Sequence, residues 1–164
     1  RVDLLLRALA FLSEPWHLDI VGDGPERERL MRLVERLCIL PRVRFVGAVA
    51  DIYPYLLSAD ICLFASREEG QGLVVLEAAG AGVPVIASDL PALRELFSPS
   101  SMTLVPLAAG ERVWSQVIRE VLEYADRTRT QSQEARHIVE ACCSVERMAK
   151  EYADLYQRLL FTQA

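Results

Sequence analysis

Two glutamates lie on either side of a glycine-containing segment in the stretch EEGQGLVVLEAAGAGVPVIAS, residues 68–88. Glu69 and Glu77 are separated by seven residues. Carboxylates accept hydrogen bonds from vicinal sugar hydroxyls, a role that acidic residues take in nucleotide-binding folds. Glu77 stands among apolar neighbours, where a carboxylate needs a polar partner. We therefore expect Glu77 to bind ribose hydroxyls and Glu69 to reach the group beyond a phosphate.

The residues between these glutamates suit phosphate binding by the backbone. Gly70 and Gly72 permit a sharp turn and a close approach to a ligand. Leu73 and Val74 open a predicted helix, whose first N–H groups point outward and attract anions. For Gln71 two interpretations stay open, since its amide either contacts a sugar hydroxyl or faces water.

A second glycine turn follows an apolar segment near the amino terminus. Gly22, Asp23 and Gly24 are followed by Pro25, a residue suited to a first helical turn. The turn either lines a ligand cleft or merely joins a strand to a helix that Asp23 caps.

The hydrophobic period alternates between helix-like and strand-like segments along the chain, which predicts a doubly wound parallel sheet. Ligands of such sheets bind beyond the carboxyl ends of the strands, so the loops after Val21, Val46, Ala65 and Ala87 are candidates. The predicted strands span residues 16–21, 42–46, 60–65, 84–87 and 102–105. The predicted helices span residues 3–12, 25–38, 52–58, 73–81, 91–97 and 111–160, the last broken near 128–130 and near Ser144.

Composition limits the classes of function. The 164 residues predict one domain, and the net charge of −5 with an acidic pI argues against nucleic-acid binding. No apolar run approaches the roughly 18 residues of a membrane span. The four cysteines lack metal-ligand spacing and are expected to be buried reduced thiols. The alternating charges of the second predicted helix indicate a salt-bridged, solvent-facing surface: Glu26, Arg27, Glu28, Arg29, Arg32, Glu35 and Arg36.

The stretch 68–88 resembles the donor-binding half of retaining glycosyltransferases built from two Rossmann-like domains, the group 1 family with the GT-B fold. Its signature is the pair Glu69 and Glu77 in the setting EGxGLVVLEA…GVPVIAS. Four further segments resemble the family in order and spacing: IVGDGPERERL (20–30), RVRFVGAV (42–49), SADICLFAS (58–66) and SVERMAKEYADLYQRLL (144–160).

The resemblance implies a fold and a role for each candidate residue. The fold is α/β, a single domain with a Rossmann-like parallel sheet and carboxy-terminal helices, one half of a GT-B fold. Glu69 is the implied catalytic-site residue, contacting the donor sugar near its anomeric carbon, and Glu77 binds the ribose. Gly72, Leu73 and Val74 are the implied backbone donors to the diphosphate, and Gly70 and Gln71 belong to the same donor-binding loop. The remaining implied contacts are the base segment at Val49 and Asp51 and the cleft floor at Gly22, Asp23 and Gly24.

The resemblance also implies what this chain lacks. Residues 1–164 are expected to form a truncated donor-binding domain without the acceptor domain, without the first strand and without an Arg/Lys pair that holds the diphosphate. The family needs no metal and no cofactor, because the substrate is itself a nucleoside diphosphate sugar, UDP- or GDP-linked. The implied location is cytoplasmic, with any contact at the inner membrane face made by the absent half.

The expected activity of the intact enzyme is transfer of a hexose to a hydroxyl acceptor with retention, and the isolated chain is expected to be inactive. One alternative is a non-catalytic nucleotide-sugar-binding module that works with a separate acceptor-domain chain. Another is a structural or regulatory domain that shares only the fold.

Overall fold

A computed structural model describes residues 1–161 of the chain. Within that range, five short parallel strands alternate with helices, so the predicted α/β class is confirmed. Each predicted strand is present. The first, third and fifth are shorter than predicted, whereas the second and fourth keep their predicted lengths and begin one residue later. The strands are β1 (Leu18–Val21), β2 (Val43–Gly47), β3 (Cys62–Phe64), β4 (Val85–Ser88) and β5 (Thr103–Val105).

The strands form two hydrogen-bonded groups. β1 pairs with β2 in one group, where the exposed side chains of Asp19 and Arg44 form an ion pair across the register. The other group has the order β3-β4-β5. β4 is central there and buried along its whole length, as a strand covered on both faces should be.

Eight α-helices and two short 3-10 helices, Leu40–Arg42 and Leu107–Ala109, complete the described part of the chain. The helix predicted from Pro25 begins two residues later, because Pro25 and Glu26 belong to a turn. Ser144 starts the last helix as predicted, since its hydroxyl accepts a 3.1 Å hydrogen bond from the Arg147 N–H. The helices are α1 (Val2–Leu9), α2 (Arg27–Arg36), α3 (Tyr53–Ser58), α4 (Leu73–Gly80), α5 (Pro91–Arg94), α6 (Gly110–Glu123), α7 (Ala125–Cys142) and α8 (Val145–Phe161).

The helix break predicted near residues 128–130 is wrong. The chain leaves helical geometry at Tyr124, whose φ and ψ are −100° and 60°. Thr128 lies inside the first turns of α7, where its buried hydroxyl donates a 2.9 Å hydrogen bond to the Val121 carbonyl at the end of α6. The threonine therefore stabilises the junction between the two helices rather than ending one.

Two clusters of apolar side chains form the core. The first joins α1, α2 and α6 to β1 and β3 and contains the buried Leu6 and Trp114. The second joins α4, α5 and α7 to β4 and contains Val75 and Leu93. β1 and β3 pack on the same first cluster although they belong to different hydrogen-bonded groups.

The cysteines follow the prediction only in part. All four are free thiols, and burial raises the pKa of Cys62 to about 11, which makes that thiol unreactive at neutral pH. Cys38 and Cys142 are exposed, so the expectation of burial is wrong for them. No helix in residues 1–161 is long and apolar enough to cross a membrane.

Candidate functional site

The predicted site residues lie on loops that follow the carboxyl ends of three strands. Gly22–Gly24 follow β1, Val49 and Asp51 follow β2, and residues 66–72 follow β3. All strand pairs in residues 1–161 are parallel, so these loops emerge at the same end of each strand group. That is the edge at which open α/β sheets bind ligands.

A short hydrogen bond joins the first two loops. The Gly22 N–H donates to the Gly47 carbonyl over 2.7 Å, and both glycines have positive φ angles, of 122° and 85°. The Asp23 carboxylate accepts a 2.8 Å bond from the Gly24 N–H. Asp23 therefore does not cap α2, whose first residues follow Glu26 without a side-chain cap, so the expected capping is wrong, and both interpretations of the turn stay open.

The two candidate base-binding residues on the loop after β2 differ in their contacts. The Asp51 carboxylate accepts a 2.9 Å hydrogen bond from the Tyr53 N–H and so stabilises the start of α3. Val49 exposes about a third of its surface (36%). Asp51 thus has a structural contact that the sequence did not predict, and Val49 presents an open apolar surface.

The loop after β3 is held at both ends. At its start, the Ser66 N–H donates a 2.8 Å hydrogen bond to the buried hydroxyl of Ser88 on β4. At its end, Gly72 adopts left-handed geometry, with φ 67° and ψ 50°, directly before α4. A Cβ at Gly72 would lie 3.1 Å from the Leu93 side chain. The backbone of this loop therefore depends on glycine for both its conformation and its packing.

Helix α4 has one buried and one open face. Val75, Ala78 and Ala79 are fully buried against the second core cluster. Leu73 and Val74 expose 62% and 41% of their surfaces on the opposite side, at the first turn. Their backbone N–H groups have no hydrogen-bond acceptor within residues 1–161. The first turn of α4 thus combines unpaired donors with bare apolar surface.

Both candidate glutamates are exposed. Glu77 lies one turn after Leu73 and Val74, on the open face of α4, and Glu69 lies on the loop that precedes the helix. The expectation that apolar surroundings force a partner on Glu77 is wrong, because Val75, Ala78 and Ala79 are buried in the core whereas Glu77 is exposed. Its candidate role therefore depends on its position beside the unpaired N–H groups.

Arg27 is a residue of this edge that sequence reasoning missed. It was assigned to a solvent-facing, salt-bridged surface, and the pairs Arg29–Glu26 and Arg32–Glu28 do form there. Arg27 instead is half-buried, with its guanidinium 5.6 Å from the centre of the Phe45 ring on β2. The alternation of charge along α2 gave no signal of this difference.

The best-formed cavities do not coincide with these loops. A cavity of about 560 Å³ lies beside α6 and is lined by Phe11, Arg112 and Arg119 among others. The Arg112 guanidinium lies 4.9 Å from the centre of the Phe11 ring, and Arg119 pairs with Glu14 at 3.2 Å. A smaller cavity, of about 210 Å³, lies near Gln131. No predicted site residue lines either of these two cavities. In the described part of the chain, no group of three or more His, Cys, Asp or Glu side chains is arranged to hold a metal ion.

Known proteins resemble this chain over nearly its whole length. The O-antigen biosynthesis glycosyltransferase WclY of Escherichia coli is 29% identical over 159 residues, which cover 96% of this chain and 43% of that protein. The N-acetyl-alpha-D-glucosaminyl L-malate synthase of Bacillus anthracis is 30% identical over 142 residues, covering 86% of this chain and 37% of that protein. The chain therefore spans less than half the length of these relatives.

Solved structures share the fold. Anabaena HepE, solved in complex with UDP, matches with a TM-score of 0.86 and 25% identity, over 96% of this chain and 44% of that one. The sucrose-phosphate synthase of Thermosynechococcus elongatus matches with a TM-score of 0.87 and 30% identity, over 99% of this chain and 43% of that one. The profile of the family described as "Glycosyl transferases group 1" matches residues 1–123, and the chain belongs to that family.

Proposed function

We propose that this chain is the donor-binding domain of a retaining glycosyltransferase, which moves a hexose from a nucleoside diphosphate sugar to a hydroxyl acceptor. The observation that carries the proposal is the first turn of α4. Unpaired backbone N–H groups, the exposed carboxylate of Glu77 and a loop bearing Glu69 occur together beyond the carboxyl end of β3. That combination suits a diphosphate with hydroxyl-bearing groups on both sides.

Each part of the donor has a proposed binding segment. The N–H groups of residues 70–74 bind the diphosphate, with the Gln71 amide near the sugar. Glu77 accepts hydrogen bonds from the ribose hydroxyls, and Glu69 orients the sugar near its anomeric carbon. Val49 and Asp51 border the base, and residues 22–24 form the cleft floor. The HepE complexes with UDP, and with UDP and glucose, support a UDP-linked donor for this edge.

In the proposed mechanism the protein stabilises charge without a metal ion. As the bond between sugar and diphosphate breaks, negative charge grows on the departing phosphate oxygens. Backbone N–H groups that already point at this position stabilise that charge without rearranging. The acceptor hydroxyl bonds to the anomeric carbon on the face that the diphosphate leaves, which gives retention, and its proton passes to the departing phosphate oxygen while Glu69 holds the sugar in place.

We further propose that an acceptor domain and one more strand complete the donor domain. β1 and β3 pack on one core cluster but form no hydrogen bonds with each other. One further strand between them would join the two groups into a single sheet of the order β2-β1-(strand)-β3-β4-β5. A parallel strand there would satisfy both edges, as in other doubly wound sheets. Relatives more than twice as long support a polypeptide that supplies it. The exposed apolar residues of α8, among them Met148, Tyr152 and Leu159, suit packing on the same additional polypeptide.

If the acceptor site lies on a separate domain, the isolated chain should bind nucleotide but transfer no sugar. The intact enzyme would act in the cytoplasm, with membrane contact made by the acceptor domain. A natural half-enzyme, the alternative arrangement, would regain transfer when mixed with a separate acceptor-domain chain, whereas a fragment would regain it only when covalently joined to the missing part.

Glu77→Ala tests the proposal directly. Because Glu77 is exposed, the substitution should leave the free energy of unfolding nearly unchanged while UDP or GDP affinity falls at least several-fold, the expected effect of losing charge-assisted hydrogen bonds to ribose. Glu35→Ala on α2 is the matched control, since Glu35 is also an exposed helical glutamate. Equal affinities of the two variants in calorimetry would reject the ribose-binding role of Glu77.

A further inference from the structure

Arg27 is held in place by apolar packing rather than by an acid. Its guanidinium lies against the face of Phe45, 5.6 Å from the ring centre, and the side chain is half-buried. In residues 1–161 no carboxylate lies within ion-pair distance of the guanidinium and its side-chain N–H groups form no hydrogen bond, whereas the backbone N–H bonds to the Gly24 carbonyl. A cation–π contact of this kind holds the guanidinium beside the ring and leaves its N–H donors available.

The other cations of α2 behave differently. Arg29 pairs with Glu26, and Arg32 pairs with Glu28 at 3.5 Å, both on the exposed side of the helix. An arginine that only solubilised this helix would be expected to join those pairs. Arg27 instead turns toward the sheet and reaches β2, the strand that precedes the proposed base segment.

The position of Arg27 points to the base rather than to the diphosphate. One guanidinium nitrogen, Nη1, lies 4.0 Å from the point where a Cβ on Gly47 would be. Gly47 ends β2, and Val49 and Asp51 follow it within four residues. The diphosphate segment at residues 70–74 follows β3, which belongs to the other strand group. Arg27 therefore lies beside the segment that borders the base.

Resting on the proposed function, we infer that Arg27 determines base specificity by donating a hydrogen bond to a ring carbonyl oxygen. A guanidinium is a donor only and cannot accept. Uracil and guanine present an exocyclic oxygen where cytosine and adenine present an amino group. The oxygen accepts from Arg27, whereas an amino group would face it donor to donor, leaving both unpaired. The site therefore takes bases that carry an oxygen at this ring position and rejects bases that carry an amino group there.

Nucleotide pairs in which the same ring position carries an oxygen in one member and an amino group in the other provide the test. UDP is compared with CDP, and GDP with ADP, by calorimetry on the chain and on Arg27→Met, which keeps a stem to pack on Phe45 but has no donors. The chain should bind the oxygen-bearing member of a pair with an affinity roughly tenfold or more above that of the amino-bearing member. This is the expected effect of one hydrogen bond to a charged donor. Arg27→Met should lose that preference, and Arg27→Lys should keep part of it.

Arg32→Met is the matched control, because Arg32 lies on the exposed side of the same helix, and it should keep the preference. Urea unfolding of each variant identifies any loss of folding. The inference is overturned if Arg27→Met retains the oxo preference, or if it weakens both members of a pair equally, since equal weakening indicates a purely structural role. Failure of the unaltered chain to bind any of the four nucleotides would instead contradict the proposed function itself.

Discussion

The Ser66 N–H donates a hydrogen bond of 2.8 Å to the hydroxyl of Ser88, which is completely buried at the end of β4. The same hydroxyl lies 3.5 Å from the Phe64 carbonyl on β3. One side chain thus connects the carboxyl ends of two neighbouring strands to the loop that carries Glu69. The candidate sugar-binding loop therefore begins from a fixed point.

Ser88→Ala should loosen that loop. The substitution leaves the Ser66 N–H without its acceptor, so we expect the free energy of unfolding to fall by about 1–2 kcal/mol, the cost of an unsatisfied partly buried donor. Urea denaturation measures this change. Ser58→Ala, which removes an exposed hydroxyl bonded to the Tyr55 carbonyl, should change stability by less than about 0.5 kcal/mol. Equal effects of the two substitutions would show that the Ser88 bond does not fix the loop.

Gly72→Ala should be costly for two independent reasons. Its φ of 67° is unfavourable for a residue with a Cβ, by roughly 1–2 kcal/mol, and that Cβ would press on Leu93 at 3.1 Å. Gly70→Ala is the control within the same loop, because a Cβ there meets no atom within 4 Å. Thermal unfolding should separate the two variants by several degrees in Tm. A Gly72→Ala variant as stable as Gly70→Ala would contradict the described loop geometry.

The sequence was sufficient for the elements that alternate clearly in hydrophobic period. Apolar period and turn residues are local properties of the sequence. They therefore predicted all five strands, the glycine loop before α4 and the helix start at Ser144. The break near residues 128–130 was predicted in the wrong place, since it depends on a tertiary bond from Thr128 to Val121. The local sequence does not show which carbonyl a threonine will reach.

The sequence did not predict which charged side chains are buried and which are exposed. Glu77 was expected to lie in apolar surroundings, but helical rotation places its carboxylate on the open face of α4. Arg27 and Arg29 belong to the same charge pattern, yet only Arg27 contacts β2. These differences come from how α2 and α4 sit on the sheet, which is a non-local property.

Cys38→Gly should stabilise the chain. Cys38 has a positive φ of 57° at the end of α2, where the Ile39 N–H bonds to the Val34 carbonyl in a left-handed helix stop. Glycine relieves the strain of that conformation, which stabilises the folded state by about 1–2 kcal/mol. Part of this gain is lost, because glycine also raises the conformational entropy of the unfolded chain. We expect a net gain of roughly 0.5–1 kcal/mol in urea denaturation. A β-branched residue, as in Cys38→Val, should act in the opposite direction, and a stable valine variant would refute the assignment.

The pair Asp89–Arg94, next to Ser88, should add an acid-dependent contribution to stability. The hydrogen bond from Arg94 lowers the pKa of Asp89 below its usual value. A carboxyl with a lowered folded-state pKa stabilises the fold above its unfolded pKa of about 3.9 and loses that contribution as pH falls through the folded value. The chain should therefore exceed Asp89→Asn in stability at pH 7, and the small difference should vanish toward pH 2. A difference that persists unchanged at low pH would exclude the ionic origin.

Titration of the ¹⁵N-labelled chain with UDP, followed by amide chemical shifts, tests the central claim most directly, because it detects weak binding and locates it. The account predicts shifts at Gly72, Leu73 and Val74 and along residues 47–51, with much smaller shifts in Glu77→Ala at the same UDP concentration. Shifts confined to the cavity between Phe11 and Arg112, or no shifts at millimolar UDP, would contradict it.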